Sequence, residues 1–408
     1  MAEQVFTVVG AGLAGGRAAE ALRELGFDGR VVLIGSEPER PYERPPLSKA
    51  YLSGELPEAR VFLRPAGFYA EQQIELLENT TVEAIDLGAR RLRLSTGARA
   101  YDRLLLATGS RPRRLEVPGA ELPGISTYRT LADARRLHEQ LARRPRVLVV
   151  GAGFLGSELA AVARQTGCPV TLVETADSAP AALGQFGAEF CQRLHREQGV
   201  SLRLGRRIES FAGADAVESA QLDSGQRVPC DLVLVCIGAA PRIELAQSAG
   251  LALADDGVRV DASCRTSAAD VFAAGDIASW PSSHLGGQAR VEHYDNAHRQ
   301  GRFAASAMLQ AGGAYDPIPY FWTELYGNTV QTLGRLSERD RVVLRGDPRD
   351  HAFSAFYLRG SGVAGCLAVN RFRDLTAARR LMATSTNVAA SILADPLVDL
   401  RQLAPAPE

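Results

Sequence analysis

One lysine stands alone among the cationic residues of this chain. Lysine and arginine together number 46, and every one except Lys49, in the stretch ERPPLSKAYL, is an arginine. A lysine ammonium donates from one compact point, whereas the planar guanidinium of arginine is larger and suits a fork-shaped partner. Lys49 is therefore a candidate for a site that needs a compact cation. The alternative is that an arginine-rich chain has kept one lysine by chance.

Two glycine-rich motifs each stand between a predicted strand and a predicted helix. Segments 5–26 and 146–167 each run from an apolar, β-branched strand through Gly-x-Gly-x-x-Gly into a helix, and a second strand follows. In such a unit the first glycine makes a turn, the second lets the backbone approach a pyrophosphate, and the third lets the helix pack on the strand. We predict two dinucleotide sites, formed by Gly10, Gly12, Gly15, Gly151, Gly153 and Gly156.

An acidic residue follows the second strand of each unit. Glu37 and Glu174 occupy the position where a carboxylate can bind the hydroxyl groups of an adenosine ribose. The residues after Glu174 read TAD, so no cation stands there to bind a 2′-phosphate, which the carboxylate would repel. We therefore expect the second site to prefer NADH over NADPH.

Two further strands end in residues suited to a bound cofactor. The strand of YDRLLLATGSRPR (101–113) ends in Thr108 and Gly109, and that of TSAADVFAAGDIASW (266–280) ends in Gly-Asp at Asp276. Ligands of open α/β sheets lie at the carboxyl ends of strands, where a carboxylate suits the polyol of a flavin. A lone Gly-Asp pair is usually only a turn, but beside two dinucleotide motifs Asp276 becomes a candidate FAD ligand.

Composition narrows the class of protein. The formal net charge of −1 and the pI near 6.6 provide no basic field for nucleic acid or an anionic membrane. The start MAEQVFTVVG lacks the features of a secretory signal, and no apolar stretch approaches the roughly 20 residues of a membrane helix, so we expect a cytoplasmic protein. The six cysteines show no C-x-x-C and no metal-ligand spacing. We expect reduced, buried cysteines and no metal site.

The order of these segments predicts an α/β fold followed by a C-terminal α+β domain. We predict a first dinucleotide-binding domain from residues 1–114 and 243–315, an inserted second one from 115–242, and a further domain from 316–408. In the last of these, alternating runs such as FSAFYLRGSGVAGCLAVN predict a small antiparallel sheet. DLTAARRLMAT and TNVAASILA predict helices that cover it.

Beyond these patterns, the whole chain resembles the FAD-dependent, NADH-dependent ferredoxin reductases, close to the reductase components of aromatic-ring dioxygenase systems such as those for biphenyl and toluene. The motifs that carry the resemblance are ERPPLSKAYL, LLLATGSRPR, YRTLADARRL, GAGFLGSELA, VFAAGDIASW, VEHYDNA, PYFW, AVNRFRD and LADPLVDLRQL. Their order and spacing are together specific. The resemblance implies two Rossmann-like dinucleotide-binding domains with a glutathione-reductase-like architecture and a C-terminal domain that covers the flavin edge. It implies that residues 1–114 and 243–315 form the FAD-binding domain, 115–242 the NADH-binding domain and 316–408 an interface domain.

The resemblance also implies the residues of each cofactor site. Those that would contact FAD are Gly10, Gly12, Ala14, Gly15, Glu37, Arg44, Lys49, Thr108, Gly109, Arg129, Asp276, Tyr294 and Trp322. Those that would contact NADH are Gly151, Gly153, Gly156, Glu158, Glu174, Gly238 and Glu292. Catalytic roles are implied for Lys49, paired with Glu158 beside the flavin, and for Glu292 beside the nicotinamide and flavin. Tyr294 departs from several relatives, which have tryptophan there.

The implied reaction moves electrons from NADH to a one-electron acceptor. A hydride would pass from NADH to FAD, and two one-electron transfers would reduce a [2Fe–2S] ferredoxin that feeds a Rieske aromatic-ring dioxygenase or a cytochrome P450. We expect a monomer. The segment RFRDLTAARR, with Arg371 and Arg373, is the expected docking site, because ferredoxins are commonly acidic.

Three other classes of protein share parts of this pattern. A disulfide reductase requires a redox-active cysteine pair near the flavin, but the first 160 residues hold no cysteine. An NADH oxidase or peroxidase would need a peroxidatic cysteine or open access for oxygen. A flavoprotein that functions by binding, like the apoptosis-inducing factor, shares the motifs around Lys49 and Glu158. Such a binding protein and an NADH oxidase stay open as the alternatives.

Overall fold

The computed structural model describes residues 3–254 and 256–403, so the outer ends of the predicted first and last domains lie outside the described residues. Two compact units divide the chain. The first contains the chain up to Pro45, Pro57–Arg111 and Ala239–Pro317, and the second contains Pro46–Leu56, Pro112–Gly238 and the chain from Ile318. The short segment around Lys49 thus belongs to the second unit. The four domain ranges given above stay a prediction.

A five-stranded parallel sheet forms the centre of the first unit. Its strands, in spatial order, are Val271–Ala273, Arg103–Leu106, Val5–Val9, Arg30–Ile34 and Ile74–Leu77. Neighbouring strands all pair in parallel, and most of their residues are buried Val, Leu and Ile, as expected for strands covered on both faces. The strand order reverses at Val5–Val9, and such a reversal is where open α/β sheets bind ligands.

Two long helices of the first unit, Leu13–Glu24 and Tyr294–Met308, pack closely against each other. Gly301 permits this approach, because an added Cβ atom there would lie 2.2 Å from the carbonyl oxygen of Ala14. The other helical elements of this unit are Glu58–Arg60, Phe68–Glu71, Glu244–Ser248 and Gly275–Ile277. Its other strands are Val82–Asp86, Arg91–Leu94, Gly97–Ala100, Ala239–Pro241, Leu253–Ala254, Gly257–Arg259, Ala278–Ser282 and Gly287–Arg290.

The second unit repeats the parallel design. Its sheet has the spatial order Ser201–Arg203, Val170–Val173, Val147–Val150, Leu232–Val235 and Ile125–Thr127, with all neighbours parallel. The order again reverses at the strand that precedes a glycine motif. A three-stranded antiparallel sheet of Ile208–Ala212, Ser219–Leu222 and Arg227–Pro229 accompanies it. The helical elements of this part are Leu131–Leu141, Phe154–Gln165, Ala181–Leu183 and Gly184–Glu197.

The C-terminal part of the second unit is an antiparallel sheet covered by helices. Its spatial strand order is Tyr320–Leu325, Asn328–Gly334, Gly362–Val369, Phe353–Arg359 and Arg341–Arg345. The helical elements Phe372–Ala383, Ala390–Ala394 and Leu400–Gln402 follow. Leu375, Ala378 and Leu381 bury one helix face against the sheet. Two short elements, Pro45–Ser48 and Ser110–Pro112, each contain a position at which the chain passes from the first unit to the second. The predicted α/β class with a C-terminal α+β domain is confirmed.

A buried ion pair stabilises this C-terminal region. Arg345 and Asp374 are 3% and 5% exposed, and Arg345 Nε lies 3.2 Å from Asp374 Oδ1. Asp374 Oδ2 also accepts a hydrogen bond from Arg371 Nε at 2.9 Å, and Arg345 Nη2 donates to the Val398 carbonyl oxygen at 2.7 Å. Loss of one partner of such a pair costs roughly 3–5 kcal/mol, because the other charge stays buried without compensation. The pair therefore fixes the start of the helix Phe372–Ala383 to the segment that ends the described chain.

Membrane-spanning helices, metal-binding groups and cysteines bear on the possible functions of this fold. Within residues 3–254 and 256–403, no helix is long and apolar enough to cross a membrane. The same residues contain no group of three or more His, Cys, Asp or Glu side chains that could hold a metal ion. All six cysteines are free, and all except Cys236 are buried. Burial raises the pKa of Cys191 to about 12 and that of Cys230 to about 11.

Candidate active site

The first glycine turn has the shape of a pyrophosphate site. Gly10 has a φ of +113°, and an added Cβ atom there would lie 2.1 Å from the carbonyl oxygen of Ala107. At Gly15 it would lie 1.9 Å from the Gly10 carbonyl oxygen, so glycine lets the helix Leu13–Glu24 approach the turn. At Gly12 it would meet no protein atom within 4 Å. The backbone at the helix start therefore faces open space, which suits an anionic phosphate.

A cavity of about 430 Å³ lies beside this turn and is within the size range of small-molecule sites. Its lining includes both apolar side chains and polar or charged ones. The lining residues are Val9, Gly10, Ile34, Ser36, Thr80, Thr81, Val82, Glu83, Thr108, Arg242, Glu244, Leu245 and Ser248. Open space at Gly12 and a cavity at the strand ends together fit a dinucleotide, so the residues present are suited to the FAD that the sequence predicts.

Glu37 is held by two neighbours. Arg44 Nη2 donates to Glu37 Oε1 at 2.7 Å, and the Tyr42 hydroxyl donates to Glu37 Oε2 at 2.5 Å. Arg44 Nη1 also donates to the Tyr42 oxygen at 2.9 Å, which closes a ring of three residues. Although burial opposes ionisation, Arg44 and the Tyr42 hydroxyl hold the pKa of Glu37 below its ordinary value. The two predicted residues thus lie together, and the charge of Arg44 balances that of Glu37.

The predicted polyol ligand, Asp276, and two further predicted FAD contacts lie at adjacent strand ends of the first unit. Thr108 and Gly109 follow the strand Arg103–Leu106, and Asp276 lies in the turn after its neighbour in the sheet. Ser110 Oγ donates a hydrogen bond of 2.7 Å to Asp276 Oδ2. Thr108 Oγ1 donates to a backbone carbonyl oxygen, that of Arg242, at 2.6 Å. The arrangement leaves a carboxylate at the strand ends, as expected for a site that binds a polyol.

Glu292 and Tyr294 each have a charged partner within the first unit. Arg290 Nη1 donates to Glu292 Oε1 at 2.6 Å. The Tyr294 hydroxyl donates to Glu43 Oε1 at 2.8 Å. Burial, together with this bond to Glu43, raises the pKa of the Tyr294 phenol above its ordinary value. A tryptophan at position 294 has no hydroxyl group, so Tyr294 adds a polar contact that the resemblance did not imply.

The second glycine turn repeats the two close approaches and the one open position of the first. Gly151 has a φ of +96°, and an added Cβ atom would lie 2.4 Å from the carbonyl oxygen of Cys236. At Gly156 it would lie 1.9 Å from the Gly151 carbonyl oxygen, and at Gly153 it would meet nothing within 4 Å. The turn at the start of the helix Phe154–Gln165 is therefore suited to a pyrophosphate in the same way as the first.

Glu174 and Gly238 lie at the strand ends on either side of this turn. The backbone N–H of Ala152 donates to Glu174 Oε2 at 2.8 Å, and that of Ala176 donates to Glu174 Oε1 at 3.0 Å. Although burial opposes ionisation, these donors hold the pKa of Glu174 below its ordinary value. Gly238 has a φ of +97° and accepts a backbone hydrogen bond from Arg113 at 2.9 Å. Glu174 therefore keeps its negative charge, and none of the hydrogen bonds described for it comes from a cationic side chain.

Lys49 and Glu158 form the ion pair that the resemblance implies. Lys49 Nζ lies 2.7 Å from Glu158 Oε2, and the carboxylate is 5% exposed. Ser48 Oγ donates to the same oxygen at 2.5 Å, and Thr323 Oγ1 donates to Glu158 Oε1 at 2.7 Å. Both oxygens of the buried carboxylate thus have donors, as a charge removed from water requires.

The segment that carries Lys49 is itself fixed within the second unit. The Tyr128 hydroxyl donates to the Leu47 carbonyl oxygen at 2.5 Å, and His138 Nδ1 lies 3.0 Å from the Leu52 carbonyl oxygen. Arg129, between Tyr128 and a capping box at the start of Leu131–Leu141, donates its backbone N–H to Asp133 Oδ2 at 3.0 Å. Lys49 therefore stands on a segment that is hydrogen-bonded before and after it.

The remaining predicted residues divide between the two units. Lys49, Arg129 and Trp322 belong to the second unit, whereas the other residues predicted to contact FAD belong to the first. Trp322 stacks on Tyr320, with ring centroids 5.9 Å apart and an interplanar angle of 14°. Ala14 is buried in a small apolar cluster of the first unit.

Sequence reasoning missed several residues that the structure brings to these sites. Ser48 and Thr323 complete the shell of Glu158, and Tyr42 completes the ring around Glu37. Ser48 precedes Lys49, and Thr323 follows Trp322. A hydroxyl group next to a predicted site residue is the sequence feature that could have indicated them. The segment Thr80–Glu83 lines the cavity without any motif that marks it.

Two known protein families match this chain. Residues 5–301 match the family described as pyridine nucleotide-disulphide oxidoreductase, and residues 320–404 match the one described as reductase C-terminal. The first match spans both glycine turns. The second spans the antiparallel sheet and the helices that cover it.

Relatives and solved structures match over nearly the whole length. The chain is 42% identical to the anthranilate 1,2-dioxygenase system ferredoxin–NAD(+) reductase component of Burkholderia cepacia, over 98% of this chain and 99% of that protein. It is 39% identical to the biphenyl dioxygenase system component of the same kind from Paraburkholderia xenovorans, over 98% of each. The ferredoxin reductase for the CYP199A2 system from Rhodopseudomonas palustris superposes with a TM-score of 0.95 at 36% identity, covering 98% of this chain and 100% of that one. The reductase of a covalent putidaredoxin reductase–putidaredoxin complex gives a TM-score of 0.94 at 34% identity, covering 99% and 98%.

The charge of Glu174 predicts nucleotide preference. We expect Glu174→Ala to lower the ratio of kcat/KM for NADH to that for NADPH by about tenfold, because the variant removes a carboxylate that repels a 2′-phosphate. Steady-state reduction of ferricyanide with each nucleotide measures the ratio. Glu189→Ala, which removes an exposed carboxylate of the same unit, is the matched control. An unchanged ratio in the Glu174 variant would show that this carboxylate does not discriminate.

Proposed function

The chain belongs to the pyridine nucleotide-disulphide oxidoreductase family, and we propose that within it the protein is the NADH-dependent reductase of a ferredoxin. Its cofactors are FAD and NADH. The observation that carries the proposal is the second complete glycine turn, because a dinucleotide donor and a dinucleotide acceptor of a hydride need two sites. The names of full-length relatives support a ferredoxin as the final acceptor.

The residues described above can be assigned to the two cofactors. We propose that FAD is held by Gly10, Gly12, Ala14, Gly15, Glu37, Arg44, Lys49, Thr108, Gly109, Arg129, Asp276, Tyr294 and Trp322. We propose that NADH is held by Gly151, Gly153, Gly156, Glu158, Glu174, Gly238 and Glu292. FAD, when bound, takes electrons from NADH as a pair and releases them singly, which matches a two-electron donor to a one-electron acceptor.

We propose that Lys49 supplies a compact positive charge beside the flavin. Glu158 orients it, because that carboxylate is buried, is itself held by Ser48 and Thr323, and lies 2.7 Å from the ammonium. A fixed cation stabilises negative charge that develops nearby during reduction without any rearrangement of the protein. Glu292 is held by Arg290 and is proposed to contact the nicotinamide.

Disulphide chemistry, which the family name includes, is not proposed for this chain. All six cysteines are free, and burial keeps the thiols of Cys191 and Cys230 protonated near neutral pH. An oxidase, or a binding role like that of the apoptosis-inducing factor, is not favoured, because the relatives that match over the full length are named as reductase components.

We propose a [2Fe–2S] ferredoxin of an aromatic-ring dioxygenase system as the partner, because the relatives of higher identity belong to such systems. A cytochrome P450 is the second candidate for the terminal enzyme, in keeping with the similarity to the reductase of the CYP199A2 system. Free cysteines and the use of NADH support the cytoplasm as its location. The monomeric state stays a prediction.

The helix Phe372–Ala383 is the proposed docking element. Arg373 is exposed on its first turn, whereas Arg371 is 30% exposed and bonded to the buried Asp374. Charge reversal at Arg371 would therefore disturb the fold as well as the surface. Arg373 is the residue that tests docking alone.

An anaerobic stopped-flow experiment tests the proposed function. The purified holoprotein is mixed with NADH and then with oxidised ferredoxin from a biphenyl dioxygenase system or, separately, with putidaredoxin. We expect rapid bleaching of the flavin and multiple-turnover reduction of at least one of the two, because the carrier must unload single electrons to an iron–sulfur protein. Rapid bleaching without turnover of either acceptor would contradict the reductase proposal and favour an oxidase or a binding protein.

Replacing the only lysine tests the need for a compact cation. We expect Lys49→Arg to slow flavin reduction by NADH at least about tenfold, because a guanidinium cannot take the place of an ammonium in the shell of Glu158. The bleaching rate at saturating NADH is the measurement, and the FAD content of the variant is measured in parallel. Arg143→Lys, at an exposed position, controls for the exchange itself. A wild-type rate in Lys49→Arg, with full FAD content, would remove the proposed role.

Charge at the docking helix is tested by Arg373→Glu. At low ionic strength we expect the KM for ferredoxin to rise about fivefold, since opposite charge steers the encounter and salt screens it. Bleaching of the flavin by NADH should be unchanged. Arg349→Glu, at a side chain that is 87% exposed, is the matched control. Equal KM values for wild type and Arg373→Glu at low salt would place docking elsewhere.

A further inference from the structure

An aromatic side chain stands in solvent at the start of the helix Phe372–Ala383. Phe372 is 66% exposed, although the same helix buries Leu375 and Leu381 in the core. Within residues 3–254 and 256–403, the exposed large apolar side chains are Leu25, Leu253, Phe372, Ile392 and Leu397, so Phe372 is the aromatic one among them. An exposed aromatic residue flanked by Arg371 and Arg373 has the composition of an interface centre.

Helical spacing places Phe372 on the same face as Arg379. A rotation of about 100° per residue puts positions 372, 376 and 379 within roughly 60° of one another. Phe372, Thr376 and Arg379 therefore form one line along the helix, here called the helix stripe. The opposite face packs on the antiparallel sheet.

The helix stripe continues into two stacked aromatic rings. The Arg379 guanidinium lies 5.5 Å from the centroid of the Tyr320 ring, a cation–π distance that orients its side chain. Tyr320 stacks on Trp322, and its hydroxyl accepts a hydrogen bond of 2.8 Å from the Gln331 side chain. The surface thus runs from Phe372 through Arg379 and Tyr320 to Trp322, which is proposed above to contact FAD.

A second exposed apolar side chain, Leu397, lies on the segment that the buried pair Arg345–Asp374 holds. Arg345 Nη2 donates to the carbonyl oxygens of Pro396 at 3.3 Å and Val398 at 2.7 Å, on both sides of Leu397. Leu397 is 92% exposed. Since Asp374 lies in the first helical turn, Phe372 and Leu397 stand on parts of the chain that one ion pair fixes together.

The helix presents charge of one sign to solvent, whereas the segment around Leu397 carries the exposed carboxylates of Asp395 and Asp399. The segment from Arg371 to Ala383 carries four arginines and one acidic residue, Asp374, which is buried and bonded to arginine. The charges that face solvent from the helix are therefore positive. A partner with an acidic rim and an apolar centre complements such a surface.

We propose that the helix stripe seats the ferredoxin, and that Phe372 is the apolar anchor of the contact. The inference rests on the proposed function and adds which residue stabilises the complex with the ferredoxin after the two proteins meet. Arginines at the rim accelerate the encounter, whereas a desolvated aromatic anchor slows dissociation. The partner is an acidic [2Fe–2S] protein that buries Phe372 on binding.

Phe372→Ala tests the anchor, and its exposure means that truncation leaves the core untouched. With whichever ferredoxin the wild type reduces, we expect the KM to rise about tenfold, with kcat at saturation within about twofold. The increase should persist at high salt, where the effect of Arg373→Glu disappears. Phe372→Leu should recover part of the affinity because it restores apolar area. Reduction of ferricyanide with NADH should not change in either variant.

Leu25→Ala, which truncates a side chain 53% exposed in the first unit, is the matched control. A KM for Phe372→Ala within twofold of the wild type, while the wild type turns over ferredoxin, would overturn the anchor and leave the reductase function standing. No ferredoxin turnover by the wild type would instead overturn the reductase function on which the anchor rests. A loss that vanishes at high salt would show that the surface acts by charge alone, and would also contradict the anchor.

Discussion

A buried carboxylate is the constraint on which the second unit depends. Glu158 is 5% exposed, and a charge in that position is tolerated only when both of its oxygens have donors. The donors come from distant parts of the chain, because segment 46–56 supplies Ser48 and Lys49, and the strand Tyr320–Leu325 supplies Thr323. One requirement of Glu158 therefore holds together the nucleotide helix, the lysine segment and the C-terminal sheet. The place of Lys49 follows from that requirement.

The same steric solution appears in both parallel sheets, yet the two sites differ in charge. In each turn the third glycine lies so close to the first that no side chain fits, while the second faces open space. The difference lies in the carboxylate that follows. Glu37 is bonded to a guanidinium, whereas Glu174 is held by backbone N–H groups that carry no net charge. Identical turns can thus serve different nucleotides, because selectivity is set after the turn.

Local geometry explains how much of this could be predicted from the sequence. The glycine turns are encoded within about six residues, so the pattern of Gly10 to Gly15 was sufficient to predict them. The pair of Lys49 and Glu158 spans more than a hundred positions, and only the resemblance to known reductases indicated it. Ser48 and Thr323 could not be predicted, because the sequence does not show whether a serine or threonine hydroxyl binds a buried carboxylate or lies at the surface. The hydrogen bond from Arg371 to Asp374 could not be predicted either. The burial of an acid in the first turn of this helix depends on Arg345, which lies on the strand Arg341–Arg345.

The sole lysine is 15% exposed and engaged with a buried carboxylate, so the positive charge of the surface comes almost entirely from guanidinium groups. Guanidinium groups keep their protons far above the pH at which ammonium groups lose theirs. The positive charge on the surface of this protein is therefore retained at alkaline pH over a range in which the ammonium groups of a lysine-rich surface would lose their charge. Reagents and modifying enzymes that act on side-chain amines likewise find almost no target on it. The only amine side chain is engaged with a buried carboxylate, and the positive charge that the protein presents to solvent comes from groups that keep their protons.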